Sequence, residues 1–330
     1  MNPLGISPKL RVTLADRIDA ITGYPDREYT ALRKSIADYI HADMNHIVVG
    51  NGSTELISLF IQITHPKKAF IIGPTYSEYE REITLGGGSS HYYRLEEEAD
   101  FKLDVKALEK ELSADFDLLV ICNPNNPTSS AIPASDMRKI LDICKQKHIY
   151  CMVDETYVEF VDDISQITSV SLAEYYNNII ILRGISKFFA APGLRLGYAI
   201  CGNVDLLREV NKKKNPWTIN TLAAIAGEIM FNDKEYIDKT RELIRSERNR
   251  IFQVLKECKN VKVYPPTANF VLVKILKESV TAADLFDAAI AGEIRDCSTF
   301  PFLDQKFIRF CFMEPEKNTE LLELLLDYLK

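Results

Sequence analysis

Residues 185–198 read Ile185-Ser186-Lys187-Phe188-Phe189-Ala190-Ala191-Pro192-Gly193-Leu194-Arg195-Leu196-Gly197-Tyr198. Lys187 follows a serine and enters an apolar Phe-Phe-Ala segment, where desolvation lowers the pKa of the amine and favours Schiff-base chemistry. The Pro192-Gly193 pair predicts a turn that returns Arg195 toward Ser186 and Lys187. A serine and a lysine at the end of an apolar run are also typical of an ordinary strand edge, so the rest of the chain decides between the two interpretations.

Composition excludes several classes of protein. The 330 residues are 46% hydrophobic and 26% charged, with a mean hydropathy of −0.09, which is typical of a soluble globular protein. The net charge of −7 argues against a general affinity for nucleic acid or anionic membrane. Because no leader pattern opens the chain and no apolar run is long enough to span a bilayer, we predict a cytoplasmic protein. The run Lys212-Lys213-Lys214 predicts a solvated helix end.

Cysteine and histidine usage gives no sign of disulfides or metal. The seven cysteines form no C-x-x-C pair, and most lie in apolar surroundings such as Phe310-Cys311-Phe312. They predict buried thiols in a reducing compartment. The five histidines have no spacing typical of metal ligands, so we predict no metal site.

Polar motifs follow the short apolar runs of the first two thirds of the chain. They are Gly50-Asn51-Gly52-Ser53-Thr54-Glu55-Leu56, Asn123-Pro124-Asn125-Asn126-Pro127-Thr128-Ser129 and Asp154-Glu155-Thr156-Tyr157. Glycines that lead into a helix N-terminus indicate an anion site, and a carboxylate at the end of a buried strand requires a cationic partner. Open α/β sheets bind ligands at the carboxyl ends of their strands, so we expect these motifs in one site.

The alternation of apolar runs and helical patterns predicts a mostly parallel sheet covered by helices. Strands are predicted at Ile47–Val49, Ala69–Ile72, Asp117–Cys122, Ile149–Val153, Asn178–Leu182, Val261–Val263 and Phe270–Val273, with another ending at Phe312. Helices are predicted to start at Ser7-Pro8 and to cover Ser135–Lys147, Tyr236–Cys258, Ala282–Ile290 and Glu316–Leu329. No dinucleotide fingerprint or P-loop is present, which disfavours nicotinamide and ATP as ligands.

In this order the motifs resemble those of the class I/II aminotransferase family, fold-type I enzymes that use pyridoxal 5'-phosphate (PLP). The chain is most similar to the branch of histidinol-phosphate aminotransferases and threonine-phosphate decarboxylases, from Asn2-Pro3-Leu4-Gly5 to Glu314-Pro315-Glu316-Lys317-Asn318. The resemblance implies an α/β, aspartate aminotransferase-like fold and a homodimer. It implies a large PLP-binding domain over 24–230, with a mostly parallel seven-stranded sheet, and a small α/β domain built from 1–23 and 231–330.

The resemblance also implies a role for each matching residue. Lys187 would carry PLP as a Schiff base, Asp154 would pair with the protonated pyridine nitrogen, and Tyr157 would hydrogen-bond the phenolic O3' of the cofactor. The remaining cofactor contacts would come from Gly52, Ser53, Thr54, Ser186 and Arg195 at the phosphate, Tyr76 on the ring, Asn126 at O3', and Tyr24 from the partner subunit. Arg309 would bind the substrate carboxylate, and Arg295 is a candidate for a second substrate anion or an ordinary salt-bridged arginine.

Two departures from the family pattern leave the reaction open. Ser129 replaces the usual glycine after the Asn-Pro motif, and Phe302 replaces a glycine typical of the decarboxylase branch. We expect an aminotransferase that moves an amino group from an amino acid or phosphorylated amine to a 2-oxo acid. The alternatives are a threonine-phosphate decarboxylase and, because Met1 directly precedes the first motif, a PLP-fold domain of a larger fusion protein.

Overall fold

The strands between residues 47 and 200 form a seven-stranded sheet. The computed structural model describes residues 1–288 and 294–330. In chain order the strands are β1 (Ile47–Gly50), β2 (Lys68–Gly73), β3 (Ser89–Arg94), β4 (Leu118–Cys122), β5 (Tyr150–Asp154), β6 (Ile179–Gly184) and β7 (Gly197–Ile200). Their spatial order is β1-β7-β6-β5-β4-β2-β3. Only the pairs of β7 with β1 and β6 are antiparallel, so the predicted mostly parallel seven-stranded sheet is confirmed.

Burial explains why the central strands could be recognised. Every residue of β4 and β6 is buried, as expected for parallel strands with helices on both faces, where apolar runs are continuous. The edge strand β3 alternates exposed and less exposed residues, and no strand was predicted there because its sequence, Ser-Ser-His-Tyr-Tyr-Arg, contains no apolar run.

Helices cover both faces of this sheet. They are α1 (Pro8–Asp16), α2 (Thr30–Ile40), α3 (Ser53–Thr64), α4 (Glu78–Leu85), α5 (Val105–Glu111), α6 (Ala134–Gln146), α7 (Val204–Lys213), α8 (Thr221–Met230), α9 (Lys234–Lys256), α10 (Ala282–Ala288) and α11 (Pro315–Leu329). Apolar side chains of α3, α4 and α7 form one core with the sheet, and those of α2, α6 and α8 belong to the core on the other face. Ser7 caps α1 through its hydroxyl, as predicted. The predicted continuation of α10 to Ile290 lies outside the described residues.

A second sheet follows α9. Its strands are β8 (Val261–Val263), β9 (Phe270–Ile275), β10 (Ile294–Asp296) and β11 (Phe307–Cys311), all antiparallel in the order β10-β11-β9-β8. The large sheet therefore lies in the predicted 24–230 segment and the small sheet in 231–330, while the domain boundaries themselves stay a prediction. Within the described chain, no helix is long and apolar enough to cross a membrane.

One surface prediction was wrong. Lys214 follows α7 but is not fully solvated: its amine donates to the carbonyl of Val49 at 3.1 Å and lies 5.3 Å from the ring centroid of Tyr29. Burial lowers the pKa of Lys214. The predicted solvated end is correct only for Lys212 and Lys213, which are exposed. The cysteines are free thiols, buried except for the half-buried Cys258 and Cys311.

Candidate active site

A cavity of about 530 Å³ lies where the carboxyl ends of the large-sheet strands face the small sheet. Its lining includes every predicted cofactor or substrate residue except Tyr24: Gly52, Ser53, Thr54, Tyr76, Asn126, Asp154, Tyr157, Ser186, Lys187, Arg195, Arg295 and Arg309. These residues come from loops and strand ends that are far apart in sequence, and the fold brings them together as expected for an open α/β sheet.

The N-terminus of α3 and Arg195 form a narrow cradle for an anion. Gly52 precedes the helix with a φ of +83°, and a Cβ at this position would collide with the Arg195 guanidinium. A Cβ on Gly197 would likewise collide with the backbone nitrogen of Ser53. Arg195 itself adopts a left-handed backbone with a φ of +58°, and its side chain donates to the carbonyl of Pro192 at 3.2 Å. Backbone N–H groups and a guanidinium that converge at a helix start favour a phosphate.

Lys187 lies half-buried in the cavity, on the segment that joins β6 to β7. The N-terminal arm fixes this segment: the Asn2 backbone N–H donates to the Lys187 carbonyl at 2.9 Å, and the Asn2 side chain donates to the Phe188 carbonyl at 2.8 Å. Burial lowers the pKa of Lys187, and the nearby positive charge of Arg309 also lowers it. The amine therefore loses its proton more readily than an exposed lysine.

Asp154 is buried at the end of β5 and accepts hydrogen bonds from three donors. Its Oδ1 accepts from the Thr156 backbone N–H at 2.9 Å and from the Thr156 hydroxyl. Its Oδ2 accepts from the hydroxyl of Tyr79 at 2.7 Å. Burial raises the pKa of Asp154 although these hydrogen bonds lower it. Neither Tyr79 nor Thr156 was predicted as a site residue, and the signal that the sequence offered for Tyr79 was its spacing of about one helical turn from Tyr76.

Arg309 lies on β11 and faces the large-sheet residues across the cavity. Its guanidinium contacts the Asn126 side-chain carbonyl and lies 5.0 Å from the ring centroid of Phe270. The buried Nε of Arg309 has no hydrogen-bond partner among the residues that the structure describes. Arg295 is directly opposite Arg309 in the β10–β11 ladder and is exposed at the rim of the cavity. The site therefore presents two arginines on neighbouring strands.

Tyr157 closes the site beside Asp154. Its ring packs edge-on against Phe270, with 4.9 Å between the ring centroids, and burial raises the pKa of its hydroxyl. Tyr76 packs edge-on against Tyr79, with centroids 5.6 Å apart, and its partly exposed side chain lines the cavity. With Tyr79 and Phe300, these two tyrosines are the aromatic residues in the described lining of the cavity.

The two departures from the family pattern keep glycine-like backbones. Ser129 has a φ of +59° and Phe302 a φ of +67°, so each side chain adopts a conformation that glycine adopts at lower cost. The Ser129 hydroxyl accepts from the Ala268 N–H at 2.9 Å. The Phe302 ring packs against Tyr92, with centroids 5.7 Å apart. Both replacements thus add contacts between the large-sheet half of the chain and the segments around the small sheet.

Tyr24 does not line the cavity of its own chain. Its side chain is 86% exposed, and its ring packs on Trp217 with centroids 5.2 Å apart. Its predicted role in a partner subunit's site stays a prediction.

Residues 6–325 of this chain match the family described as aminotransferase class I and II. A putative threonine-phosphate decarboxylase of Caldanaerobacter subterraneus subsp. tengcongensis is 35% identical over 98% of this chain and 88% of its own length. The threonine-phosphate decarboxylase of Salmonella typhimurium is 31% identical over 100% of this chain and 89% of its own. The crystal structure of a histidinol-phosphate aminotransferase from Clostridium acetobutylicum superposes with a TM-score of 0.91 at 33% identity, covering 99% of this chain and 97% of that one. The chain therefore belongs to the class I and II aminotransferase family of PLP-dependent enzymes.

Proposed function

We propose that this chain is an aminotransferase that moves an amino group from an amino acid or a phosphorylated amine to a 2-oxo acid. The observation that carries the proposal is the Lys187 amine, which has a lowered pKa and shares one cavity with Asp154 and Arg309. An amine that loses its proton more readily than an exposed lysine is better equipped to act first as a nucleophile and then as a base.

The residues of the cavity fit PLP. The space between Gly52 and the Arg195 guanidinium is too small for a side chain at position 52, and its donors suit a phosphate. The three described donors to Asp154 are neutral groups, so this buried carboxylate would gain from a cation such as a protonated pyridine nitrogen. Arg309 has a buried Nε without a described partner, which would suit a substrate carboxylate.

These positions support the roles that the family resemblance implies. PLP, when bound, supplies an electron sink for the negative charge that develops at the substrate Cα. Lys187 would hold the cofactor through its aldehyde and, once freed by the substrate amine, would carry the proton that leaves the substrate Cα. Asp154 would hold a proton on the pyridine nitrogen. Tyr157 and Asn126 would bind the phenolic O3', Tyr76 would cover the ring, and the phosphate would be bound by Gly52, Ser53, Thr54, Ser186 and Arg195.

Arg309 and Arg295 suggest a substrate with two anionic groups. Arg309 would bind the carboxylate through two parallel N–H donors, and Arg295 lies opposite it on the next strand. A phosphorylated amino acid or amine would place its second anion near Arg295. An amino acid without a second anion would use Arg309 alone, so the dependence of activity on Arg295 reports the substrate class.

Decarboxylation is the second candidate, because two relatives at 35% and 31% identity are named threonine-phosphate decarboxylases. The same lysine, aspartate and phosphate cradle would serve either reaction. The reactions differ in the bond at the substrate Cα that breaks: the bond to hydrogen in transamination and the bond to the carboxylate in decarboxylation. Which bond breaks depends on how Arg309 and Arg295 orient the substrate.

The test is a single turnover of the PLP-loaded protein with glutamate, histidinol phosphate, threonine phosphate and serine phosphate. We expect conversion of PLP to pyridoxamine phosphate with one of these amines, and its reversal by a 2-oxo acid. Release of carbon dioxide with PLP retained would instead establish a decarboxylase. Lys187→Ala is the control, because it should abolish either reaction. Tight PLP binding with no reaction on any amine would favour a non-catalytic domain.

We also propose that the chain acts as a homodimer in which Tyr24 contacts the cofactor phosphate of the partner subunit. Exposed apolar side chains cluster in sequence around Tyr24, at Val12, Ile18 and Ile21, and Trp217 packs against it. Such side chains in contact with water favour an interface. Tyr24 is far more exposed than Tyr76, the aromatic residue proposed to cover the ring in its own chain, at 86% against 37%.

Complementation between two inactive variants tests this arrangement. Lys187→Ala and Tyr24→Phe are co-expressed with different tags, and the mixed dimer is isolated. One of its two sites would combine the intact Lys187 with the intact Tyr24, so activity should return to about half that of the wild type if the subunits share sites. A mixed dimer no more active than the Tyr24→Phe parent would contradict shared sites, and a monomer in sedimentation analysis would contradict the dimer.

A further inference from the structure

Tyr79 is a buried side chain that contacts both a polar and an aromatic part of the proposed ring site. It lies in the first turn of α4 and is fully buried. Its hydroxyl donates to Asp154 Oδ2 at 2.7 Å, and its ring packs edge-on against Tyr76, with centroids 5.6 Å apart. None of the roles proposed above uses this residue.

The hydrogen bond from Tyr79 bears on the charge of Asp154. A carboxylate in a dry site tends to take up a proton unless donors compensate its charge. Thr156 supplies donors to Oδ1 only, so Tyr79 is the described donor on the other oxygen, Oδ2. The other titratable groups that face Asp154 are Cys122 from β4, Glu155 and Tyr157 from its own loop, Tyr76 before α4, and Lys187.

This arrangement matters for a proton shared between Asp154 and a bound pyridine nitrogen. The proton is located either on the nitrogen, which leaves Asp154 charged, or on Asp154, which leaves both groups neutral. In a buried site with little water, the neutral pair is favoured unless the carboxylate is stabilised. A hydroxyl that donates to Oδ2 stabilises the charged carboxylate and so favours the proton on the nitrogen.

We propose that Tyr79 is a positioning residue that acts through Asp154 to keep the shared proton on the pyridine nitrogen, and through Tyr76 to orient the ring. The proposal rests on the proposed function, because it requires PLP in this cavity with its ring nitrogen at Asp154. It extends that function by assigning control of ring protonation to a side chain that never touches the substrate.

The test compares the wild type with Tyr79→Phe, each loaded with PLP that carries 15N in the ring. The 15N chemical shift reports whether the nitrogen is protonated. We expect a pyridinium-like shift in the wild type and a shift toward free pyridine in Tyr79→Phe. We also expect PLP to dissociate about tenfold more readily from the variant, the range expected when a hydrogen bond to a charged group is lost.

Tyr92→Phe is the matched control. The Tyr92 hydroxyl donates to Glu80 Oε2 of α4 at 3.1 Å, so this substitution also removes a hydrogen bond from a tyrosine to a carboxylate. Tyr92 does not line the described cavity. The control should keep the wild-type 15N shift and PLP affinity. If Tyr79→Phe also keeps both, the proposal is wrong.

A double-variant cycle separates action through Asp154 from a structural role. In the Asp154→Asn background, Tyr79→Phe should cause no further change in the 15N shift and little in PLP affinity, because the carboxylate is gone. Equal losses in both backgrounds would contradict the proposal. If Tyr79→Phe does not fold, 3-fluorotyrosine at position 79 keeps the packing and strengthens the donor. The pH at which the 15N signal moves to that of free pyridine should then rise, and an unchanged pH would contradict the proposal.

These readouts need no turnover, so the two proposals can fail separately. A wild-type protein that binds PLP with a protonated ring but transfers no amino group would contradict the aminotransferase and leave the role of Tyr79 standing. A wild-type ring nitrogen without a proton would contradict the role of Tyr79 even if amino transfer occurs.

Discussion

Ser129 links the loop that carries Asn126 to the segment before β9, and two substitutions separate its hydrogen bonds from its backbone strain. Its hydroxyl accepts from the N–H groups of Thr267 at 3.1 Å and Ala268 at 2.9 Å. The Thr267 N–H also donates to the Ser129 carbonyl at 3.1 Å, so Ser129→Ala leaves only the buried Ala268 N–H without its described partner. That loss costs about 1 to 3 kcal/mol, and we expect the free energy of unfolding to fall by about 2 kcal/mol.

Ser129→Gly should be less harmful than Ser129→Ala. It loses the same hydrogen bonds but relieves a φ of +59°, which costs a residue with a Cβ about 1 kcal/mol. We therefore expect a net loss of about 1 kcal/mol, with the order wild type, glycine variant, alanine variant. Urea unfolding of the cofactor-free proteins, followed by circular dichroism, gives the three values by linear extrapolation.

Ala190→Gly is the control for strain alone, because Ala190 has a φ of +52° and its methyl group makes no hydrogen bond. It should gain stability. An alanine variant at position 129 that is as stable as the glycine variant would refute the assignment of strain to this backbone. Two variants with wild-type stability would refute the contribution of the hydrogen bonds.

Three further predictions concern the cavity. Gly52→Ala forces a Cβ into the Arg195 guanidinium, so PLP binding should weaken by about tenfold in a fluorescence titration. Gly5→Ala is the control: Gly5 has a φ of +66° and no neighbour within 4 Å, so PLP affinity should not change. Burial lowers the pKa of Lys187 from 10.5, so the unfolded chain binds more protons between the two pKa values and stability rises with pH there. Lys187→Met should therefore raise the free energy of unfolding of the cofactor-free protein near neutral pH. Unfolding experiments should show this gain in stability shrink toward pH 10.5, and a gain that does not change with pH would contradict burial of the charged amine as its cause. Arg309→Lys keeps the positive charge but loses the two parallel N–H donors, so KM for the amino substrate should rise about tenfold while PLP affinity is retained. An equal weakening of substrate and PLP binding would instead indicate that Arg309 contacts the cofactor.

The central strands and their polar ends were predictable because their signals are local. The Leu118–Cys122 strand was predicted within one residue of its start, since a continuous apolar run needs no knowledge of its neighbours. Asp154 was predicted in the site for the same reason: a carboxylate directly after a buried strand is unusual in itself. The seven-stranded sheet and PLP came from the family resemblance, which rests on several such local motifs in order.

Contacts between distant residues were not predictable in the same way. Tyr79 binds a carboxylate 75 residues later in the chain, and Lys214 binds a carbonyl 165 residues earlier. No periodicity near either residue encodes such a partner. The resemblance identified Ser129 as a departure from the glycine of the family pattern. The hydrogen bond that its hydroxyl accepts comes from Ala268, 139 positions later in the chain. That hydrogen bond also depends on the left-handed backbone of Ser129, which the sequence does not reveal.

The described lining of the cavity is richer in basic than in acidic side chains, although the protein as a whole is acidic. Among the described residues, four basic side chains (Lys187, Arg195, Arg295 and Arg309) and two acidic ones (Asp154 and Asp296) line it, whereas the chain as a whole carries −7. Anions in solution are therefore repelled at long range and attracted only near the cavity mouth, where low-dielectric walls concentrate the local field. Dissolved salt screens the long-range repulsion first, because it acts over more than a Debye length of about 8 to 10 Å at physiological ionic strength. Moderate salt is thus expected to help anionic ligands reach this protein, and only higher salt to hinder their capture.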